Sequence, residues 1–357
     1  MKIGIFGLPK TGKTTLFNAL TKSQAQVSDY TVVKAEPNIA MIKVGDPRVI
    51  RLSEMFKPRK TTYATIEFVD FVGVSEGAIK DEAAFPPALM KLIRSVDALA
   101  LVARAFPGSS GGEASPLRDI QTIDEEMLLC DLVVAEKRLE KIRAGYQRGQ
   151  KSDALLFEEK VLAKIVEQLN KSLPIRDLSF DEKEETAIRG FQFLTKKPAI
   201  AIINSDETSF GAHKAVLEEL GKVHKTIEFA GSFEMELSRL ENPEEAKMFM
   251  EDMGIKESAR DLLTAAAYET LGYISFFTVG ADEVRAWNIH RGSSAVTAAA
   301  AIHTDLARGF IAAESFSYAD LLSCGSEKAV KDKGRFRLEG KDYIVKDGDI
   351  LSIRFNI

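Results

Sequence analysis

The sequence is poor in cysteine and contains no long uninterrupted hydrophobic run. Its two cysteines, Cys130 and Cys324, stand far apart in 357 residues, which excludes the disulfide framework of a small secreted domain. No apolar stretch approaches the roughly 20 residues that a membrane-spanning helix needs. The amino terminus enters an apolar segment without the charged region and cleavage site of a secretory leader. We therefore expect a soluble, cytoplasmic protein with no membrane partner.

The chain also lacks an excess of positive charge. Its 48 Lys and Arg residues are outnumbered by 53 Asp and Glu residues, and the net charge is −5. This balance argues against a globally basic nucleic-acid-binding protein but leaves room for a local basic patch. The four histidines are scattered, without the spacing of a metal site or of a nucleophile partner. We interpret them as structural or surface residues.

What the sequence does contain is a phosphate-loop pattern near its amino terminus. Residues 7–14 read Gly-Leu-Pro-Lys-Thr-Gly-Lys-Thr and fit G-x-x-x-x-G-K-[ST]. Residues 2–6 predict a buried strand and residues 14–20 predict a helix, which is the order that the pattern requires. Unpaired N–H groups at a helix N-terminus point at an anion. We expect Lys13 to reach the terminal phosphates of a nucleotide and the Thr14 hydroxyl to bind Mg²⁺.

Further apolar segments predict the strands of a parallel sheet. These segments are residues 64–70, 96–103 and 199–203. Asp70 ends the first of them, and an aspartate there, beside a phosphate loop, holds Mg²⁺ directly or through water. Gly73 follows and is placed to present its N–H to a γ-phosphate. Residues 204–207 follow the last strand directly, where open α/β sheets bind ligands, and form a candidate base-reading loop.

A long segment with helical periodicity separates the last two of these strands. Apolar residues recur at gaps of four and three over residues 128–146, and a second seam runs over residues 155–169. Gly145 and Gly149 bracket a polar turn. We expect two antiparallel helices. Such a hairpin can dock a partner, but a seam of this kind is more often the hairpin's own core.

The pattern changes again from about Gly272. Residues 274–279 and 283–287 predict a β-hairpin, residues 295–302 a helix and residues 349–355 a closing strand. Since the length of the chain favours two or three domains, we expect a separate α+β module here.

Together these features resemble the YchF subfamily of Obg-related P-loop nucleotidases over almost the whole chain. The most specific matches are Glu36-Pro37-Asn38, Asp46-Pro47-Arg48, Glu283-Val284-Arg285-Ala286-Trp287, Ile302-His303-Thr304-Asp305 with Gly309-Phe310-Ile311, and Leu338-Glu339-Gly340-Lys341-Asp342-Tyr343. The resemblance implies an α/β fold with a P-loop nucleotidase domain (1–120 and 190–272), a coiled-coil helical insertion (121–189) and a carboxyl-terminal α+β TGS domain of ubiquitin-like β-grasp type (273–357). It also implies association with the ribosome or ribosomal RNA, and binding of ATP at least as well as GTP.

The candidate base-reading loop carries the expectation that ATP is preferred. GTPases of this class usually have N-K-x-D, whose aspartate accepts from guanine N1–H and the exocyclic amine, whereas Ser205 and Glu207 replace that lysine and aspartate here. A displaced carboxylate loses the bidentate geometry, and discrimination built on buried hydrogen bonds is steep. Asn204 can still pair with adenine N7 and its amine. By resemblance, Gly231 lies in the last base-contacting loop and contributes through backbone N–H groups.

Several residues depart from the pattern that the resemblance implies. Lys10 stands where relatives usually have an asparagine that in some related enzymes helps to coordinate potassium. Lys34 replaces a Mg²⁺-binding threonine, for which Thr31 is an alternative. Leu92 falls where many relatives have a histidine proposed to help hydrolysis. Val74 is no departure, because the family itself is hydrophobic at this position where many GTPases have a water-positioning glutamine, but it leaves no obvious residue to orient water. These departures predict slow turnover or none.

Two hypotheses follow. The first is a monomeric, Mg²⁺-dependent switch protein that hydrolyses ATP slowly at the ribosome, with GTP as a possible second nucleotide. The second is a non-hydrolysing module that keeps nucleotide as a structural ligand and engages ribosome or RNA. The predicted nucleotide-binding residues are Lys10, Thr11, Gly12, Lys13, Thr14, Thr15, Asn204, Ser205, Glu207 and Gly231. The predicted metal ligands are Thr14 and Asp70, and the predicted catalytic residues are Lys13 and Gly73.

Overall fold

The apolar runs near the amino terminus and before residue 204 form buried strands of a parallel sheet. This is seen in a computed structural model, which describes residues 1–21, 37–71, 92–107, 113–240 and 242–356. The strands of the chain are β1 (Lys2–Gly7), β2 (Asn38–Lys43), β3 (Lys60–Thr62), β4 (Thr65–Asp70), β5 (Ala98–Arg104), β6 (Ala199–Ser205), β7 (Lys225–Ala230), β8 (Tyr273–Thr278), β9 (Glu283–His290), β10 (Phe310–Ser317), β11 (Arg337–Glu339) and β12 (Asp349–Phe355).

Helices connect and cover these strands. They are α1 (Lys13–Thr21), α2 (Pro47–Phe56), α3 (Pro116–Gln147), α4 (Asp153–Asn170), α5 (Glu182–Ile188), α6 (Lys214–Leu220), α7 (Gly231–Leu237), α8 (Pro243–Asp252), α9 (Ala259–Leu271), α10 (Ala295–Ile302), α11 (Thr304–Arg308), α12 (Tyr318–Cys324) and α13 (Glu327–Asp332). Within the described ranges, none of them combines the length and the apolar character needed to cross a membrane.

Contacts divide the chain into two compact units. The first joins Met1–Ala40 with Glu67–Leu262, and the second joins Met41–Ile66 with Leu263–Ile357. The first sheet has the order β2-β4-β1-β5-β6-β7, and its pairs from β4 through to β7 are parallel. Every residue of β6 is buried, as expected for a strand covered on both faces.

Parallel pairing in the first unit brings the carboxyl ends of several strands to one edge of the sheet. Ile5 lies opposite Asp70, so the end of β4 sits beside the end of β1. On the other side of β1, β5 pairs with β6 up to Arg104 opposite Asn204. The phosphate loop and the candidate base-reading loop therefore leave the sheet at the same edge, where ligands of α/β folds bind.

The helical insertion is confirmed as two long helices. The first turns of α3 contribute to the core beneath the sheet with Ile120, Ile123 and Met127. Its later turns pack on α4 in a separate core that includes Ala135, Leu139, Ile142, Leu162 and Ile165. The two predicted seams are thus the core of the hairpin itself. Only one of the two glycines marks the turn: Gly145 lies inside α3, while Gly149 has a φ of +78° just beyond its end.

The second unit is built on a mixed sheet with the order β11-β10-β12-β8-β9-β3. β8 and β9 form the predicted antiparallel hairpin, and β12 pairs with β8 in parallel. The helix over residues 295–302 and the strand over residues 349–355 lie where the sequence predicts them. This is the expected α+β arrangement.

Residues 41–66 also belong to the second unit, although the sequence prediction began this domain at residue 273. β3 adds to the sheet edge in parallel with β9. In addition, the Arg48 guanidinium donates to Asp46 (Nε–Oδ1, 3.0 Å) and to Asp347 (2.7 Å). The Asp46-Pro47-Arg48 segment therefore joins α2 to the loop before β12. The domain bounds themselves stay a prediction.

Candidate nucleotide-binding site

The phosphate-loop pattern forms a turn between β1 and α1. Gly7 ends the strand and Lys13 begins the helix. Between them, the Thr11 hydroxyl donates to the Leu8 carbonyl (3.0 Å) and stabilises the turn. Strand, loop and helix thus occur in the predicted order. The helix begins at the carboxyl edge of the sheet, where a helix N-terminus offers N–H groups to an anion.

Two residues of this loop have a left-handed backbone. Gly12 has a φ of +91°, and a β-carbon at this position would lie 2.0 Å from Asn204 Nδ2, so glycine is required by both conformation and space. Lys10 has a φ of +61° and is exposed. Asparagine adopts this conformation more readily than lysine, so the lysine carries a backbone cost that the asparagine of the family pattern would reduce.

Lys13 is the cation of the site. Its side chain is buried, with 6% of the residue exposed, and Nζ donates to the Leu8 carbonyl (2.6 Å). Burial lowers the pKa of Lys13 to about 8, and the nearby Asp70 carboxylate opposes this effect. The chain therefore holds a desolvated ammonium group against the phosphate loop, where its attraction to an anion is weakly screened.

Asp70 provides a carboxylate with unused bonding capacity. Oδ2 accepts from the Thr14 hydroxyl (3.1 Å) and from the Asn38 amide (3.4 Å), whereas buried Oδ1 has no hydrogen-bond partner among the described residues. Burial raises the pKa of Asp70, opposed by these two hydrogen bonds and by Lys13. Buried charges are normally paired or bound to a metal. The pair Thr14 and Asp70 thus fits a hard cation such as Mg²⁺.

Asn204 links three loops. Its Nδ2 donates to the Thr11 carbonyl (3.0 Å) in the phosphate loop, and its Oδ1 accepts from the Gly231 N–H (3.1 Å) at the start of α7. A β-carbon on Gly231 would lie 2.7 Å from Asn204 Oδ1 and 3.3 Å from Thr15 Cγ2. Glycine therefore allows α7 to approach both the end of β6 and α1.

Ser205 faces the other way, because side chains alternate along a strand. Its hydroxyl donates to Glu228 Oε1 (2.7 Å), and His213 Nδ1 lies 2.9 Å from the same oxygen. Glu228 Oε2 accepts from the Gly211 N–H (3.1 Å). The Ser205 side chain is thus bonded within a cluster on the side of β6 opposite to Asn204.

Of the two carboxylates that follow Ser205, Asp206 is hydrogen-bonded within the protein and Glu207 is exposed. Asp206 Oδ1 accepts from the Thr208 hydroxyl (2.7 Å) and the Ser209 N–H (2.8 Å), which forms a local turn. These hydrogen bonds lower the pKa of Asp206. Glu207 is exposed.

The structure brings most of the predicted site residues to one edge of the sheet. These residues are Lys10, Thr11, Gly12, Lys13, Thr14, Thr15, Asp70, Asn204 and Gly231. Gly73 lies outside the described residues, as do Thr31, Lys34 and Val74. Leu92 packs against the apolar core of the first unit.

Sequence reasoning missed three polar residues of this region. Asn38 contacts Asp70, and His213 and Glu228 contact Ser205. The sequence alone indicates only a structural or surface role for His213. Nothing in the spacing indicates these contacts, because they join residues 8 to 32 positions apart, two of the pairs across neighbouring strands and one between β6 and the residue before α6.

Comparisons with known proteins agree with this geometry. A family model described as "50S ribosome-binding GTPase" matches residues 2–137. The model of the YchF GTPase carboxyl-terminal domain, described as "Protein of unknown function", matches residues 273–356. The first match contains the phosphate loop and Asp70, and the second contains β8 to β12 of the mixed sheet.

Individual relatives are similar to this chain over its full length. The ribosome-binding ATPase YchF of Bacillus subtilis is 37% identical over 99% of both chains. The ribosome-binding ATPase YchF of Haemophilus ducreyi is 38% identical over 100% of this chain and 99% of its own. The solved structure of the Schizosaccharomyces pombe YchF GTPase superimposes with a TM-score of 0.85 at 30% identity, covering 99% of this chain and 97% of that one.

Proposed function

This chain belongs to the YchF family, and from that premise we propose that it is a ribosome-binding ATPase that uses Mg²⁺ and prefers ATP to GTP. The observation that carries the proposal is the convergence of Lys13, Thr14 and Asp70 at the phosphate loop, with one buried carboxylate oxygen left unpaired. A site for a lone metal ion would need more ligands. A site that shares its cation with a bound nucleotide needs only one or two protein oxygens.

The residues of the loop have distinct tasks in this proposal. The N–H groups at the start of α1 and the Lys13 ammonium bind the phosphates and stabilise the charge that develops on them. Thr14 and Asp70 would hold Mg²⁺, which neutralises phosphate charge when it is bound. Asn38 orients Asp70 through its amide. Catalysis is then mostly a matter of positioning and electrostatics.

The base-reading loop supports the preference for ATP. The side chains of Ser205 and Asp206 are already bonded within the protein, so Glu207 is the carboxylate of residues 204–207 that remains for a base. A glutamate at this position is longer than the aspartate that pairs with guanine. The matched geometry for guanine N1–H and its amine is then lost.

One observation supports slow turnover. Leu92 packs into an apolar core and offers no group that can accept or orient a proton. The apolar Leu92 also favours the second candidate function, a module that binds nucleotide without hydrolysing it.

Calorimetry with ATP and GTP in the presence of Mg²⁺ tests the proposal, with phosphate release followed in the same samples with and without ribosomes. We expect tighter binding of ATP, slow phosphate release and co-sedimentation with ribosomes. Lys13→Ala should abolish binding, whereas Lys214→Ala, which removes an exposed lysine on α6, should not. Tight ATP binding without any phosphate release would select the non-hydrolysing module, and wild-type protein that binds neither nucleotide would end the proposal.

A further inference from the structure

Glu228 contacts three donors near the two ends of residues 205–213, the segment that joins β6 to α6 and contains Glu207 of the candidate base-reading loop. Its side chain is 9% exposed and accepts from the Ser205 hydroxyl (2.7 Å), from the Gly211 N–H (3.1 Å) and from His213 (2.9 Å). Ser205 ends β6, and His213 immediately precedes α6. The Glu228 carboxylate therefore connects the start of the segment between β6 and α6 to its end.

The arrangement is unlike a nucleophilic Ser-His-Glu site. His213 contacts the Glu228 carboxylate through Nδ1 (2.9 Å). The Ser205 hydroxyl lies 3.2 Å from that same nitrogen. In a catalytic triad the serine contacts the ring nitrogen opposite to the one that the carboxylate holds. Since Ser205 is also buried, the cluster is suited to holding backbone in place.

The other side of β6 is held as well, and among residues 204–207 Glu207 is the one with an exposed side chain. Asn204 is bonded to Thr11 and Gly231, and Asp206 is bonded within its own turn. Glu207 lies between these fixed points and is exposed. The contacts of Glu228 fix the backbone on both sides of Glu207, and this backbone sets where the Glu207 carboxylate lies.

We propose that Glu228 is a positioning residue that, through Ser205 and His213, fixes where the Glu207 carboxylate meets a purine base and so sets the preference between ATP and GTP. The inference rests on the proposed function, because it needs a nucleotide in the phosphate loop. When the three contacts are weakened, Glu207 can adjust to either purine, and the preference falls.

Glu228→Gln tests this proposal, because glutamine has the same shape but offers one acceptor oxygen and adds two N–H donors. We expect the ratio of the GTP to the ATP dissociation constant to move toward one by about three- to tenfold, the effect of losing roughly one hydrogen bond. The matched control is Glu218→Gln, which neutralises an exposed glutamate on α6 and should leave the ratio unchanged. Circular dichroism and thermal melting report whether each variant folds.

Two further measurements separate positioning from general support of the fold. Ser205→Ala and His213→Gln each remove one of the contacts to Glu228 together with the contact between Ser205 and His213, and they serve as the test if Glu228→Gln does not fold. In a Glu207→Ala background, Glu228→Gln should no longer change the ratio of the GTP to the ATP dissociation constant, because Glu228 acts on the base only through Glu207.

The outcomes distinguish this inference from the proposed function. A wild-type protein that binds neither nucleotide overturns both. A wild-type protein that binds nucleotide without preferring ATP overturns this inference together with the ATP preference in the proposed function, and leaves nucleotide binding itself standing. So do variants in which both affinities fall by the same factor, and so does a ratio that still changes when Glu207 is absent.

Discussion

Replacing Glu234 with glutamine is expected to stabilise the first unit at pH 8 and to change little at pH 5. Glu234 lies in α7 with 6% of its surface exposed, and its Oε1 accepts from the Ala259 N–H (2.7 Å). Burial raises the pKa of Glu234 from 4.5 to about 7, and the Asp261 carboxylate adds to this while the Ala259 N–H opposes it. Glutamine keeps the acceptor for Ala259 and never ionises.

The direction of the effect follows from the two pKa values. Between pH 4.5 and about 7 the folded state binds more protons than the unfolded state, so the contribution of Glu234 to the free energy of unfolding is lost as the pH rises. The loss amounts to about 3 kcal/mol by pH 8. Because Glu234→Gln removes this cost, its melting temperature at pH 8 should exceed that of the wild type by about 6–12 °C for a unit of this size.

Thermal and urea unfolding at pH 5 and pH 8 measure this effect. The matched control is Glu236→Gln, which changes an exposed glutamate on the same helix and should have no comparable effect. If Glu234→Gln is as stable as the wild type at pH 8, or is stabilised equally at both pH values, the buried carboxylate does not carry the cost that its environment implies.

Three further substitutions test the account of the site and the fold. Gly12→Ala should abolish nucleotide binding in a fluorescence titration, because a β-carbon would lie 2.0 Å from Asn204 Nδ2 at a φ of +91°; binding within threefold of wild type would show that the loop tolerates the side chain. Asp131→Ala should lower the free energy of unfolding by about 3–5 kcal/mol in urea, since this buried carboxylate accepts three hydrogen bonds from the 194–195 segment, and a loss below about 1 kcal/mol would refute that role. Arg48→Ala should cost about 1–3 kcal/mol by removing the contacts to Asp347, and unchanged urea unfolding would assign these contacts no stabilising part.

The sequence predicts well where local pattern determines structure. The order of strand, loop and helix around Lys13 predicts a phosphate loop. The continuous apolar runs of β5 and β6 predict strands buried in a parallel sheet. The helical seam over residues 128–146 likewise specified a helix, although that helix begins earlier, at Pro116, because its first turns bury apolar residues under the sheet.

Contacts between distant segments are the part that local pattern does not determine. Arg48 and Asp347 are 299 residues apart, so the inclusion of α2 and β3 in the second unit could not be predicted from either segment alone. The same holds for Glu228, which is an ordinary residue of a strand until parallel pairing places it opposite Ile203, within hydrogen-bond distance of the Ser205 hydroxyl two residues further on. Nucleotide binding by Ser205, Glu207 and the other predicted residues stays a prediction.

The most direct test of the central claim is calorimetric titration of the wild-type protein and Lys13→Ala with ATP and with GTP in the presence of Mg²⁺. Binding of ATP with higher affinity than GTP, lost in Lys13→Ala while the variant stays folded, is the predicted result. Equal binding of ATP by wild type and Lys13→Ala, or tighter binding of GTP than of ATP, would contradict the account.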